Sequence, residues 1–146
     1  MKKKLLIYAH YFYPDVASTG QILTELTEGM RDTFDITVIC VVPSYSGTVE
    51  EKYKTKRMYM EEYKGMKVIR VRVPEFQKSN KISRIKNLLS YFLNALLATF
   101  KIEKQDYIFT ISQPPILGGV LGVLGKWIKG GKLIYNIQDF NPEQTM

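Results

Sequence analysis

The run Ile36-Thr37-Val38-Ile39-Cys40-Val41-Val42 is β-branched or apolar almost without a break and closes at Pro43. A strand with one wet face alternates, whereas a strand without polar interruption is buried on both faces, as in the centre of a parallel sheet covered by helices. The rest of the chain should therefore supply further strands joined by helical crossovers.

The flanking segments fit that demand. Leu5-Leu6-Ile7-Tyr8-Ala9 reads as a short buried strand leaving through the turn signal Tyr13-Pro14-Asp15. A helix follows, with Ser18 as N-cap, Gln21 at its third position, and Ile22, Leu23, Leu26 and Met30 on one face. The stretch from Ser44 to Tyr63 is polar, basic and tyrosine-rich, and is expected to be a long surface excursion with at most a short helix. Val68 to Val73 alternates, placing Ile69, Val71 and Val73 on one face and Arg70 and Arg72 on the other, the pattern of an outer strand.

From Ile82 onward, Ile85, Leu88, Leu89, Phe92, Ala95, Leu96 and Phe100 recur at helical spacing and predict a long helix with a wide apolar face. Tyr107 to Ile111 is a fourth strand, and a glycine-rich helix from Ile116 to Trp127 follows. In that helix Gly118, Gly119, Gly122 and Gly125 imply close packing, and Gly130-Gly131 ends it before a fifth strand, Lys132 to Ile137. Strand and helix in alternation predict an α/β fold: a Rossmann-like, right-handed, doubly wound parallel sheet with strand order 3-2-1-4-5.

Ligands of such sheets bind at the carboxyl ends of the strands. Three segments should meet there: Tyr11 to Gly20, Ser112 to Pro115, and Gln138 to Pro142. The chain has 146 residues, 45% of them hydrophobic, which suits one globular domain with a single core. Its formal charge of +7 favours anionic partners such as nucleotides or phospholipid surfaces. Nucleic acid is not expected, since no helix-turn-helix or RNA-binding signature is present.

One cysteine, Cys40, excludes an intramolecular disulfide and a cysteine-rich metal site and suits a cytoplasmic location, and with one histidine, His10, no Cys–His dyad is convincing. The amino terminus has no signal-peptide pattern, and the longest apolar stretch, Leu88 to Phe100, is interrupted by Ser90, Asn94 and Thr99. No spanning segment is predicted.

Ser18-Thr19-Gly20 offers hydroxyls, free backbone N–H groups and a residue without Cβ at a helix amino terminus, a place suited to phosphate; the same residues also read simply as a well-capped helix. Neither a Gly-x-Gly-x-x-Gly loop nor a P-loop occurs, which argues against a nicotinamide-binding unit and a P-loop NTPase. Asp139 follows a core strand and could take a proton, orient a sugar hydroxyl or cap the next helix. His10 is a catalytic base or a buried polar group satisfied by its neighbours. The long helix, with Lys78, Lys81, Arg84 and Lys86 at its start, lies on an anionic bilayer or serves as a core helix covering the sheet.

Taken in order, Tyr11-Phe12-Tyr13-Pro14-Asp15, Ser18-Thr19-Gly20 with Leu26-Thr27-Glu28, Val68-Ile69-Arg70-Val71, Ser112-Gln113-Pro114-Pro115 and Asn136-Ile137-Gln138-Asp139-Phe140-Asn141-Pro142 resemble the amino-terminal domain of retaining, GT-B-type glycosyltransferases, the family 4-like enzymes of bacterial surface polysaccharide synthesis. The resemblance runs along nearly the whole chain. It departs from the family at Thr19, where a second glycine is frequent, and at Gln138, where a histidine is frequent. It implies residues 1–146 as an incomplete amino-terminal domain, partnered by a carboxyl-terminal domain that binds a UDP- or GDP-sugar.

The resemblance further implies hexosyl transfer with retention to a lipid-linked or polysaccharide acceptor, possible carriers being polyprenyl diphosphates at the inner face of the cytoplasmic membrane. No resident cofactor or metal is implied. Asp139 is the implied catalytic position, with His10 beside it as a weaker candidate. Asp15, Ser18, Thr19, Gly20, Ser112, Gln113 and Gln138 are the implied substrate contacts. The fragment itself is expected to be inactive. The competing reading is a free-standing binding or assembly module that pairs with a separate catalytic chain.

Overall fold

The computed structural model describes residues 2–9, 12, 18–43, 51–73, 81–111 and 117–136, with the backbone alone at 18–23, 84, 111, 117–119, 135 and 136. The elements in chain order are β1 (Lys3–Tyr8), α1 (Ser18–Met30), β2 (Phe34–Val41), a single 3-10 turn (Glu51–Tyr53), β3 (Met58–Tyr63), β4 (Met66–Val71), α2 (Lys81–Thr99), β5 (Tyr107–Ile111), α3 (Leu117–Lys129) and β6 (Lys132–Asn136). They build a six-stranded mixed sheet of order β3-β4-β2-β1-β5-β6. Every pairing is parallel except that of β3 with β4. The five parallel strands stand in the 3-2-1-4-5 order that the sequence predicts.

Two-sided burial explains the unbroken apolarity of β2. On one face Leu5, Ile7, Ile36, Val38, Cys40, Met66 and Val68 form a layer against which Met30 of α1 packs. On the other, Leu6, Ile39, Val41, Ile69, Val71 and Ile108 meet Tyr91, Ala95 and Ala98 of α2 and Leu121 of α3. Crossovers of one hand that leave β1 toward opposite sides of the sheet must use opposite faces, and α1 lies on one face with α2 and α3 on the other.

Four expectations are corrected. The segment ending at Tyr63 is not all surface excursion: Met58–Tyr63 forms an antiparallel edge strand paired along β4. Lys64 and Gly65 both take positive φ, 50° and 85°, the backbone of a two-residue type I′ hairpin turn. A lysine in the left-handed region is unfavourable by roughly 1–2 kcal/mol, and here its Nζ sits 3.1 Å from Glu28 Oε1.

Because β3 covers that flank, β4 is not an outer strand and Arg70 is not solvated. It is 4% exposed, with its Nε donating to Glu61 Oε1 at 2.6 Å and its Nη1 to Cys40 Sγ at 3.5 Å. Tyr53 Oη donates to the other Glu61 oxygen at 2.7 Å. Partial burial pushes the Glu61 carboxyl up, but hydrogen bonds from Tyr53 and Arg70 and the guanidinium charge outweigh it and hold the group below its ordinary value.

The third correction concerns α1, whose buried positions include Thr24 and Thr27, while Leu26 is exposed. Thr27 Oγ1 donates to the Thr24 carbonyl at 2.9 Å, which satisfies its hydroxyl inside the layer.

The fourth concerns α2. Its sheet-facing side is made by Asn87, Tyr91, Ala95, Ala98 and Thr99, and of the apolar residues expected to cover the sheet only Ala95 is fully buried. Ile82, Ile85, Leu89, Leu93, Leu97 and the adjoining Phe100 are 42–67% exposed. At 100° per residue these large side chains form a stripe diametrically opposite Tyr91 and Ala98, so the helix is apolar on both sides.

The reason for small residues inward lies in Tyr8. Its ring stands on the α2 and α3 side of β1, 2% exposed, and its hydroxyl meets Thr99 Oγ1 at 2.6 Å. Thr99 Oγ1 donates to the Ala95 carbonyl at 2.8 Å, which leaves Tyr8 as the donor to Thr99. Across the same ring lies Gly125 of α3, where a Cβ would collide with the phenol. Gly122 meets Thr110 as closely, with an added Cβ 2.6 Å from Thr110 Cγ2. Close packing of that helix was expected and holds at both positions.

Burial pushes the Tyr8 phenol up from 10.0 to about 12, with the Thr99 hydrogen bond acting the other way. A folded-state value above the unfolded one contributes stability that is complete below pH 10 and lost as pH rises through 12. Tyr8→Phe should therefore shallow the alkaline loss of stability over that window, leaving the share due to buried Tyr91, and cost about 1 kcal/mol at neutral pH. Urea unfolding midpoints at neutral and alkaline pH check both. Gly125→Ala should destabilise by about 1–3 kcal/mol through overpacking. Gly29→Ala, in α1 with nothing within 4 Å of an added Cβ, should stabilise by up to about 1 kcal/mol, so thermal melts of the pair should move in opposite directions.

Candidate functional site

The winding order marks a switch point in the sheet. β1 leads through α1 to β2 on one side, and its other neighbour β5 leads through α3 to β6 on the opposite face. Adjacent strands whose exits diverge to opposite faces leave a crevice between their carboxyl ends, the switch point of a doubly wound sheet. β1 and β5 are neighbours along Leu5↔Tyr107 to Tyr8↔Thr110, and β5 continues to Ile111↔Asn136 beside β6. The three segments expected to converge at the functional edge therefore issue from three adjacent strand ends.

Most of the predicted site residues lie in those segments. His10, Asp15, Ser112, Gln113, Gln138 and Asp139 fall outside the described residues, as does Lys78. Ser18, Thr19 and Gly20 form the first turn of α1, described through their backbone, so the helix opens at the position the sequence assigns to it. Lys81 and Lys86 lie exposed on α2, and Arg84 between them is described through its backbone.

Described residues form the rim and floor of the edge. Ala9 is fully buried, and its N–H extends the ladder to the Ile39 carbonyl at 2.9 Å. Val42 does the same to the Val71 carbonyl at 3.0 Å. Phe12 is 0% exposed and packs edge-to-face on Tyr63 with ring centroids 5.9 Å apart. The aromatic run after β1 thus contains a structural anchor that ties the exit segment to the core layer. That role was legible only as an aromatic in a loop, since nothing local distinguishes an anchor from a ligand contact.

α2 closes one side of the edge. Asn94 Nδ2 donates to the Arg72 carbonyl at 2.7 Å, just past the end of β4, and Thr99 holds Tyr8 at the end of β1. The helix therefore passes across the carboxyl ends of β4, β2 and β1. Buried Arg70 and Tyr53 with half-buried Glu61 form a charged network that the sequence reading missed; its signal was the acidic Glu61 within a segment taken as loop.

α1 and α3 are the elements that follow β1 and β5, and neither has an acidic residue in its first turn. The amino-terminal end of a helix carries partial positive charge. Among the described residues, no group of three or more His, Cys, Asp and Glu side chains is placed to hold a metal. A cavity of about 450 Å³ lined by Lys2, Lys4, Arg31, Asp35 and Met66 lies at the amino-terminal edge of the sheet, away from the switch point.

Tested against known proteins, the chain matches no family model and no curated protein.

Proposed function

We propose that the chain is the acceptor-side unit of a two-domain, GT-B-type glycosyltransferase. It works with a second α/β domain that grips a UDP- or GDP-sugar, and a glycosyl unit passes with retention to a lipid-linked or polysaccharide acceptor. The observation that carries this reading is the switch point: the segments bearing the resemblance, Tyr11 to Gly20, Ser112 to Pro115 and Gln138 to Pro142, follow the ends of β1, β5 and β6, which the sheet sets side by side.

The chemistry asked of each part is modest. Helix amino termini offer the diphosphate partial positive charge, and the hydroxyls of Ser18, Thr19 and Ser112 with the amides of Gln113 and Gln138 suit a polyhydroxylated acceptor. Asp139 is assigned the position near the reacting sugar, with His10 at the end of β1 as a second acid–base candidate.

Two measurements test the reading. Amide spectra of the labelled chain, titrated with UDP-glucose, GDP-mannose and a short prenyl-diphosphate-linked sugar, should show shifts at Tyr8, Ala9, Thr110 and Ile111 for the lipid-linked sugar. Lys4 and Asp35, at the opposite edge, should stay still. Shifts only around Lys2, Arg31 and Asp35, or none with any probe, would leave the glycosyl-transfer reading without a site. In the two-domain enzyme, Asp139→Asn should lower kcat at least ~100-fold with an unchanged melting temperature. Unchanged turnover would reduce Asp139 to a helix cap.

A further inference from the structure

The helical layer of α2 and α3 packs Tyr91, Phe92, Leu96 and Leu121 toward the sheet and turns a second set of large apolar side chains away from it. On α2 the outward stripe runs from Ile82 through Ile85, Leu89 and Leu93 to Phe100. On α3 the buried positions are Leu121, Gly122 and Gly125, and the opposite stripe of Val120, Val123 and Trp127 is 37–75% exposed. The two helices touch and share one face of the sheet, so the stripes belong to one surface. A contiguous apolar surface of this kind marks an interaction site.

Charge identifies the occupant. Neither α2 nor α3 contains a single Asp or Glu, whereas α1 on the other face carries Glu25 and Glu28. Lys81 and Lys86 border the α2 stripe, Lys101 follows it, and Lys126 lies beside Trp127. At one end, Lys56, Arg57 and Lys101 join Met58, Leu97 and Phe100 around a groove of about 600 Å³, cations above an apolar floor. Among the described residues none of these three cations is in an ion pair. A second copy of the chain would bring like charge against like charge, which disfavours self-association through this face. An apolar stripe with exposed aromatic residues and a cationic rim complements an anionic bilayer surface, where ring and aliphatic groups enter the acyl boundary and lysines meet phosphates.

We propose that the outward face of the α2–α3 layer is a peripheral docking surface for anionic phospholipid bilayers. Leu89, Leu93, Phe100 and Trp127 enter the interface, and the groove of Lys56, Arg57 and Lys101 receives a lipid phosphate. No helix among the described residues is long and apolar enough to cross a membrane, so the contact is superficial. The surface is read from burial and charge alone and does not depend on the glycosyl-transfer reading. If both hold, α2 sets the carboxyl ends of β1 and β4 beside the bilayer.

Trp127 is the chain's single tryptophan and reports directly. The whole chain is mixed with phosphatidylcholine vesicles, with and without phosphatidylglycerol, at low and high salt. Binding should need phosphatidylglycerol and weaken with salt, and Trp127 emission should shift blue and be quenched by brominated acyl chains. Lys56→Glu with Lys101→Glu should weaken binding at least about tenfold, from roughly 1 kcal/mol per cation near an anionic surface. Leu89→Ser with Leu93→Ser changes only exposed side chains and should abolish the blue shift while keeping the melting temperature.

Equal affinity for neutral and anionic vesicles overturns the proposal, as does anionic binding without quenching of Trp127. A blue shift that grows with protein concentration in the absence of lipid would assign the face to self-association instead. Failure here leaves the amide-shift test of the crevice untouched, and failure there leaves this one.

Discussion

Everything on the α2 and α3 side of the sheet is arranged around one phenol. Tyr8 is the last residue of β1, the strand from which the sheet winds both ways, and its ring is too large to be covered by equally large neighbours at helix-packing distance. The layer solves this with Ala95, Ala98 and Thr99 on α2 and Gly125 on α3. The hydroxyl cannot be left unpaired at 2% exposure without a desolvation cost of about 1–3 kcal/mol, and Thr99 Oγ1 accepts its hydrogen bond. A single residue therefore sets close packing at Thr99 on α2 and Gly125 on α3, while Tyr91 and Leu121 fill the layer beside it.

The other face is governed by the edge. β3 pairs with β4 over Met58↔Val71 to Tyr63↔Met66 and supplies Glu61 to a buried guanidinium. Removing Glu61 would take a charge partner from a guanidinium that is 4% exposed, and breaking such a pair on its buried side is typically costly. Glu62 and Lys67, opposite each other in the same ladder, put charge on an edge that could otherwise pair with another chain. At the far end of the sheet Asp106 does comparable joining. Its Oδ2 accepts the Lys4 N–H at 2.8 Å, and its carbonyl accepts the Lys132 N–H at 3.0 Å, so it fastens β1 and β6 to the start of β5.

What could be read from sequence follows from which forces are local. The parallel strands and their order were legible because two-sided burial writes itself into unbroken runs such as Ile36 to Val42, and because crossover handedness leaves few topologies. β3 was not, since Met58-Tyr59-Met60-Glu61-Glu62-Tyr63 has weak alternation and its Lys64-Gly65 turn lacks the usual Asn or Asp. Arg70 was misplaced for the same cause: its pattern is that of a solvated position, and only a partner from an unrecognised strand makes it a buried one. In α2 the period gave the helix but not its facing, because an apolar residue at every third or fourth position fits either side when both sides are apolar. Of the candidate site the sequence indicates only which segments follow β1, β5 and β6, and segments without a hydrophobic period carry no pattern from which side-chain geometry could be derived.

That ambiguity in α2 has a structural resolution with a functional edge. A helix covering a sheet normally spends its large residues inward, gaining about 25 cal/mol for each Å² removed from water. Here Leu89, Leu93 and Phe100 forgo that gain in the isolated domain, and Trp127 on the neighbouring helix does the same. Scattered exposed leucines need no explanation, but a stripe along one helix, continued on a second and free of carboxylates on both, is a pattern with one sign and one direction. The helix bearing it also crosses the carboxyl ends of β4 and β1, tied there by Asn94 and Thr99. The surface that remains unburied and the edge where a ligand would sit are therefore two sides of one element, so whatever settles on the outer stripe also fixes the orientation of the crevice.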